Sequence, residues 1–230
     1  MRILFWDIDG TLIRTSKAGL YALSQATEEI WGKSVDMDKI QAAGMTDNYI
    51  ARQIIESLLG REAASEEIAM LCRRYETILP AQLAARDGLI LPEVINILSQ
   101  LYEREEYKLL LLTGNSVQGA QIKLRHFELT KYFDFSCSAF AAQYERRVDI
   151  ARSALEIVRS NWGNPEQHEI FVIGDTPHDV ECGKAIGAYT IGTATGRYTV
   201  DQLEFCAPWW VVDSLPSHEI FIEKIAAGKC

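Results

Sequence analysis

The chain has 230 residues, 48% of them hydrophobic and 24% charged, with a formal net charge of -9. This is the composition of a globular protein with one ordinary domain and room for a smaller second one, not of a disordered or fibrous chain. The acidic balance argues against a nucleic-acid partner, which needs clustered Lys and Arg, and no apolar run is long enough to span a bilayer. Five cysteines, Cys72, Cys137, Cys182, Cys206 and Cys230, include no CxxC pair, so neither a disulfide framework nor a zinc ribbon is expected. The N-terminus carries no signal-peptide cleavage pattern, and a cytoplasmic location is expected.

Ile3-Leu4-Phe5-Trp6 is continuously apolar and reads as a buried parallel strand. It runs into Asp7-Ile8-Asp9-Gly10-Thr11, which puts two carboxylates at the strand's carboxyl end, where open α/β sheets bind ligands. Gly10 lets the backbone turn sharply away. Two acids this close repel each other and need a cation or a shared proton. That is the setting of a metal-assisted carboxylate nucleophile.

Residues 15–86 show no strand pattern. Residues 18–30, 47–59 and 65–79 place apolar side chains at helical spacing, and Ser65 with Glu66 and Glu67 marks a helix start. The block reads as a compact helical insertion, with Thr15-Ser16 and Arg86-Asp87-Gly88 as its linkers.

Beyond Asp87 helices and strands alternate. Pro92 opens a helix reaching Leu101. Residues 109–112 form a buried strand ending in Thr113-Gly114-Asn115, whose hydroxyl and helix-start N–H groups make a ready phosphate site. The next helix carries Ile122, Leu124 and Phe127 on its apolar side, with Lys123 and Arg125 expected on an exposed face. Residues 132–136 read as a further strand, and the helix after Arg147 carries Ile150, Ala154, Leu155 and Val158. Residues 170–173 form a buried strand ending in Gly174-Asp175-Thr176-Pro177-His178-Asp179, which supplies two more carboxylates spaced to share one site. Such an oxygen-rich set suits Mg²⁺. Residues 188–191 and 209–212 complete the strands. The alternation predicts an α/β fold: a Rossmann-like parallel sheet core with helices on both faces, residues 1–14 and 87–230, interrupted by an all-helical domain, residues 15–86.

Taken in order, these segments resemble the motifs of the haloacid dehalogenase-like hydrolase superfamily: DxDGT at residues 7–11, a strand ending in Thr113, a cation before a helix, and GDxxxD at residues 174–179. The pattern is nearest to the phosphoglycolate phosphatase-like branch with a helical cap, and the insertion lies in the gap where that cap belongs. The third motif departs from the family's usual Lys. Arg146-Arg147 stands there, Arg147 in the better register, and which of the two serves stays open. Arg can hold phosphate in a bidentate fork, which Lys cannot.

The resemblance implies a Mg²⁺-dependent phosphatase acting on a small phosphorylated metabolite, phosphoglycolate-like or a sugar phosphate. It implies that Asp7 attacks phosphorus and that Asp9 serves as acid and base. Mg²⁺ would be held by the Asp7 carboxylate, the Asp9 backbone carbonyl and Asp175, supported by Asp179. Thr113, Gly114, Asn115 and Arg147 would bind the phosphate, and Arg14, Thr46 and Asp47 are candidate substrate contacts. A monomer or homodimer is expected. A phosphomutase of the same branch would keep the same residues, and a non-catalytic phosphometabolite-binding regulator would keep the fold. Carbon–halogen hydrolysis fits less well, because it has no use for Asp9.

Overall fold

The structure, a computed structural model, describes residues 1–141 and 144–228, so Cys230 lies outside the described residues. After β1 (Arg2–Trp6) comes a two-stranded antiparallel ribbon, β2 (Ile13–Arg14) against β3 (Leu89–Ile90). Between its two strands run α1 (Ala18–Trp31), α2 (Asp47–Leu59) and α3 (Ser65–Ala84). Then follow α4 (Val94–Tyr102), β4 (Tyr107–Leu111), α5 (Val117–His126), α6 (Arg147–Trp162) and β5 (Glu169–Gly174). The chain closes with α7 (Pro177–Ala185), β6 (Tyr189–Thr193), α8 (Val200–Glu204), β7 (Trp210–Val212) and α9 (His218–Ala227). The main sheet has the order β4-β1-β5-β6-β7 with every pairing parallel.

Ile3, Leu4, Phe5 and Trp6 are all fully buried, so β1 is covered on both faces. Successive strand side chains point to opposite faces. Leu4 and Trp6 therefore pack with Val94, Leu98, Leu124 and Phe221, while Ile3 and Phe5 pack with Ile150, Ala154, Val158 and Cys182. This places α4, α5 and α9 on one face and α6 and α7 on the other. Because the chain goes from β1 to β4 on one side and later to β5 on the other, the crevice at the carboxyl end of β1 is a switch point of the sheet.

The helices α1 to α3 form a separate layer with their own apolar cluster, including Ala22, Ile54, Leu71 and Leu79. At the ribbon the Ser16 hydroxyl donates to the Asp87 carbonyl (2.7 Å), tying one linker to the other. The layer docks on the sheet domain through the start of α2. Thr46 is its N-cap, accepting from the Tyr49 N–H, while its own hydroxyl donates to the Glu145 carbonyl (3.1 Å). The Asp47 N–H donates to the Gly114 carbonyl and Asp47 Oδ2 accepts from the Ser116 N–H, both at 2.8 Å. A Cβ on Gly114 would lie 2.4 Å from the Met45 carbonyl oxygen, so this approach of two backbones requires glycine.

Two expected elements differ. Residues 132–136 do not form a strand but run from the end of one 3₁₀ turn, Thr130–Tyr132, into a second, Phe135–Cys137. The Asp134 carboxylate accepts from the Ser136 N–H (2.9 Å) and hydroxyl (2.6 Å), a local turn that competes with a ladder. The next parallel contact is a single bridge, Leu112 to Ala139. The helix α4 starts at Val94 rather than Pro92, because Glu93 takes a left-handed conformation with φ 61°.

Burial pushes the Asp47 carboxyl up to about 6, against the pull of Lys123. The folded state thus holds this proton more tightly than the unfolded chain, whose Asp titrates near ~4. The stability this confers is full below pH ~4 and is lost as pH rises through about 6. Asp47→Asn keeps an acceptor for Ser116 but does not titrate. Its stability relative to the parent should rise by on the order of 2 kcal/mol between pH ~4 and pH ~7. Denaturant midpoints of both proteins across that range test this, and a difference constant with pH would contradict it.

Candidate active site

The Asp7 N–H donates to the Ile173 carbonyl (2.9 Å), continuing the β1–β5 ladder one step and fixing where its side chain emerges. Asp175 follows β5, and Asp179 stands in the first turn of α7. Carboxylate oxygens of Asp7, Asp175 and Asp179 all lie within 4.8 Å of one another, and all three residues are buried. The turn at Gly10, with φ +89°, brings its backbone so near Asp175 that a Cβ would lie 2.5 Å from Oδ2.

Arg147, the first residue of α6, is 7% exposed and reaches into this cluster. Its Nη2 lies 3.2 Å from Asp7 Oδ1 and also bonds Asp179 Oδ1. The other Asp179 oxygen accepts from the Thr176 N–H (3.0 Å) and hydroxyl (2.7 Å). Asp179 is thus occupied by protein donors and braces the cluster from below. The neighbouring Arg146 is exposed, so of the two arginines the fold brings Arg147 to the cluster.

Burial pushes the Asp7 carboxyl up to about 7, although Arg147 opposes it. Burial, followed by the Asp179 charge, raises Asp175 well above the usual carboxylate range. Fully ionised, three carboxylates against one guanidinium leave a surplus of two negative charges. A divalent cation with oxygen ligands meets that surplus, so the residues present fit Mg²⁺.

Asp9 does not join the acidic cluster. Its Oδ2 accepts from Asn115 Nδ2 (2.9 Å) and from Lys123 Nζ (2.5 Å). This corrects the expectation that Lys123 lies on an exposed helix face, for it is 5% exposed. Burial alone would lower the Lys123 ammonium, but Asp9 and Asp47 outweigh it and hold it above its ordinary value. The helical spacing held the signal: Lys123 follows Ala120 by three residues and precedes Leu124, both fully buried, so all three share one face. Asn115 is spent within the protein, its amide donating to Asp9 and Thr113 while Oδ1 accepts from Lys123. Thr113 is fully buried just beyond β4, and its hydroxyl oxygen accepts from the Asn115 side-chain amide (2.8 Å).

A cavity of about 340 Å³ opens above these groups. Its sheet side is lined by Asp7, Asp9, Lys123, Arg147 and Asp175, with Gly114 and Asn115 beside them, and its helical side by Leu20, Leu23, Met45, Ile50 and Tyr75. The volume suits a small metabolite. Of the candidate substrate contacts, Arg14 and Asp47 line the cavity, with Arg14 donating to the Thr195 carbonyl (2.8 Å). Thr46 does not; fully buried, its side chain is used as the α2 N-cap and as a donor to Glu145.

The chain matches the profile of the haloacid dehalogenase-like hydrolase family over residues 3–193. It is 24% identical over 214 residues to "Probable phosphatase IndB" of Dickeya dadantii (strain 3937), covering 92% of this chain and 89% of that one. Among solved structures it superposes on a hydrolase from Pseudomonas syringae at TM-score 0.71 and 18% identity, covering all of both chains. It also superposes on CbbY from Rhodobacter sphaeroides in complex with phosphate, at TM-score 0.68 and 19% identity over 93% of each chain. These likenesses establish the fold, and the profile match together with the acidic cluster at the sheet's carboxyl edge identifies the family: the chain belongs to the haloacid dehalogenase-like hydrolases.

Proposed function

We propose that this protein is a Mg²⁺-dependent phosphoric monoester hydrolase that cleaves a small phosphorylated metabolite through an aspartyl-phosphate on Asp7. The observation that carries the reading is the buried cluster of Asp7, Asp175 and Asp179 around Arg147, with Asp9 beside it on the sheet side of a cavity of metabolite size.

Asp7 attacks phosphorus from the end of β1. As the bond to the leaving oxygen breaks, Asp9 supplies that oxygen with a proton; it later takes one from the water that hydrolyses the aspartyl-phosphate. The Thr113 hydroxyl, the Gly114 N–H and Arg147 hold the phosphoryl oxygens as charge builds in the transition state. The Asp7 carboxylate, the Asp9 backbone carbonyl and Asp175, with Asp179 beneath, would hold Mg²⁺, which would supply charge neutralisation and Lewis-acid polarisation there. The helical layer acts as a cap that excludes bulk water and meets the leaving group through Arg14, Asp47 and its apolar wall. Phosphoglycolate-like compounds and sugar phosphates are the substrate classes of this reading, and the cytoplasm is its setting.

Asp7→Asn should reduce phosphate release by more than about a thousandfold with a panel of phosphorylated metabolites, since the nucleophile is lost. Turnover by this variant at the parent rate would overturn the assignment. An isomerised sugar phosphate in place of free phosphate would instead identify a phosphomutase.

Chelation should abolish turnover, and Mg²⁺ should raise the melting temperature of the parent protein without substrate. A saturating cation at ~100 times its Kd adds about 2.7 kcal/mol. Asp175→Asn should lose that shift, and a variant still stabilised like the parent would remove Asp175 from the metal site.

A further inference from the structure

Asp9 and Lys123 lie 114 positions apart in sequence, yet their side chains meet in a closed triangle with Asn115. Lys123 Nζ donates to Asp9 Oδ2 (2.5 Å) and to Asn115 Oδ1 (2.6 Å), and Asn115 Nδ2 donates to the same Asp9 oxygen (2.9 Å). The Asn115 amide also donates to Thr113 Oγ1 (2.8 Å), which anchors the triangle to the end of β4. The Lys123 side chain is 6% exposed, whereas that of Asp9 is 41% exposed at the cavity. Two donors converge on Oδ2, and among the described residues no hydrogen bond reaches Oδ1.

We propose that Lys123, with Asn115, is a positioning residue for Asp9: it pins one carboxylate oxygen and so turns the other, Oδ1, to the leaving oxygen of the substrate. The proposal rests on the phosphatase reading and deepens it. A carboxylate on a short side chain with 41% exposure would otherwise rotate about two torsions. Proton transfer needs the donor oxygen within hydrogen-bond reach of its target, so holding that rotation has a direct kinetic value. In the step concerned the bond from phosphorus to the leaving oxygen breaks, its electron pair stays on that oxygen, and the proton arrives from Asp9 Oδ1. The bond from an Asp7 oxygen to phosphorus forms at the same time. Lys123 keeps its three protons throughout; its part is to orient. A buried lysine that served packing alone would be replaced without loss by methionine, which has a similar stem and no donors.

The test is the leaving-group dependence of kcat/KM, which reports the steps up to formation of the aspartyl-phosphate. The probes are p-nitrophenyl phosphate, whose leaving group departs without a proton, and ethyl phosphate, whose leaving group needs one. Lys123→Met should lower kcat/KM for ethyl phosphate by about a hundredfold, the low end of what a positioned acid contributes. For p-nitrophenyl phosphate the loss should stay under about tenfold, because no proton is needed in that step. Asn115→Leu removes the other donor to the same oxygen and should give the same split, which keeps the test decisive if Lys123→Met fails to fold. Equal losses with both esters, or no loss with either, would overturn the proposal, since a packing or folding role reduces active enzyme without regard to leaving group. A parent protein that hydrolyses neither ester nor any metabolite of the panel would overturn the phosphatase reading itself and this assignment with it.

Discussion

Three buried carboxylates share one guanidinium at the carboxyl edge of the sheet, and most of the molecule answers to that imbalance. Asp7 and Asp175 are carried there by β1 and β5, which pair residue for residue and end side by side. Asp179 comes from the first turn of α7, where it also closes the turn at Thr176. Arg147 comes from the start of α6 on the same face of the sheet as α7. Like charges held this close in a desolvated place would drive the elements apart unless each were fixed by packing of its own. The double-sided burial of β1 supplies that fixation, because Leu4 and Trp6 anchor one face and Ile3 and Phe5 the other.

The site separates its two aspartates by giving each its own cation. Asp7 faces Arg147 and the acidic cluster; Asp9 faces Lys123 and Asn115. Two residues apart in sequence, they stand in different electrostatic surroundings. Such a division lets one carboxylate act on phosphorus while its neighbour handles protons.

The strand-end acids were legible in the sequence because each follows a continuous apolar run, and the run alone tells where a buried strand must stop. Asp7, Thr113 and Asp175 all stand where that logic puts them, just beyond β1, β4 and β5. Lys123 was hidden because a lysine is seldom buried unless paired, and its partner Asp9 is far away in the chain. Residues 132–136 misled for a different reason. Their aromatic character favours a strand, but the Asp134 carboxylate captures the Ser136 backbone locally and ends the ladder. Thr46, read as a substrate contact, caps α2, since a Thr before a helix satisfies an orphan N–H before it meets anything else. The ribbon β2–β3 could not be read at all, for two residues per strand are too few to show a period.

That ribbon has a consequence for how the molecule can change over evolutionary time. The helical layer leaves and re-enters the sheet domain at adjacent points joined by backbone pairing and by the Ser16–Asp87 bond. It is topologically a side branch, so an insertion or deletion within it leaves the spacing of β1 and β4 in the sheet untouched. The cost to the parent domain is only the entropy of closing a longer or shorter loop, which grows with the logarithm of its length. Away from the docked start of α2, the half of the cavity that meets the leaving group can therefore be rebuilt, while the half that holds the charged cluster stays under the strict geometry of the parallel sheet.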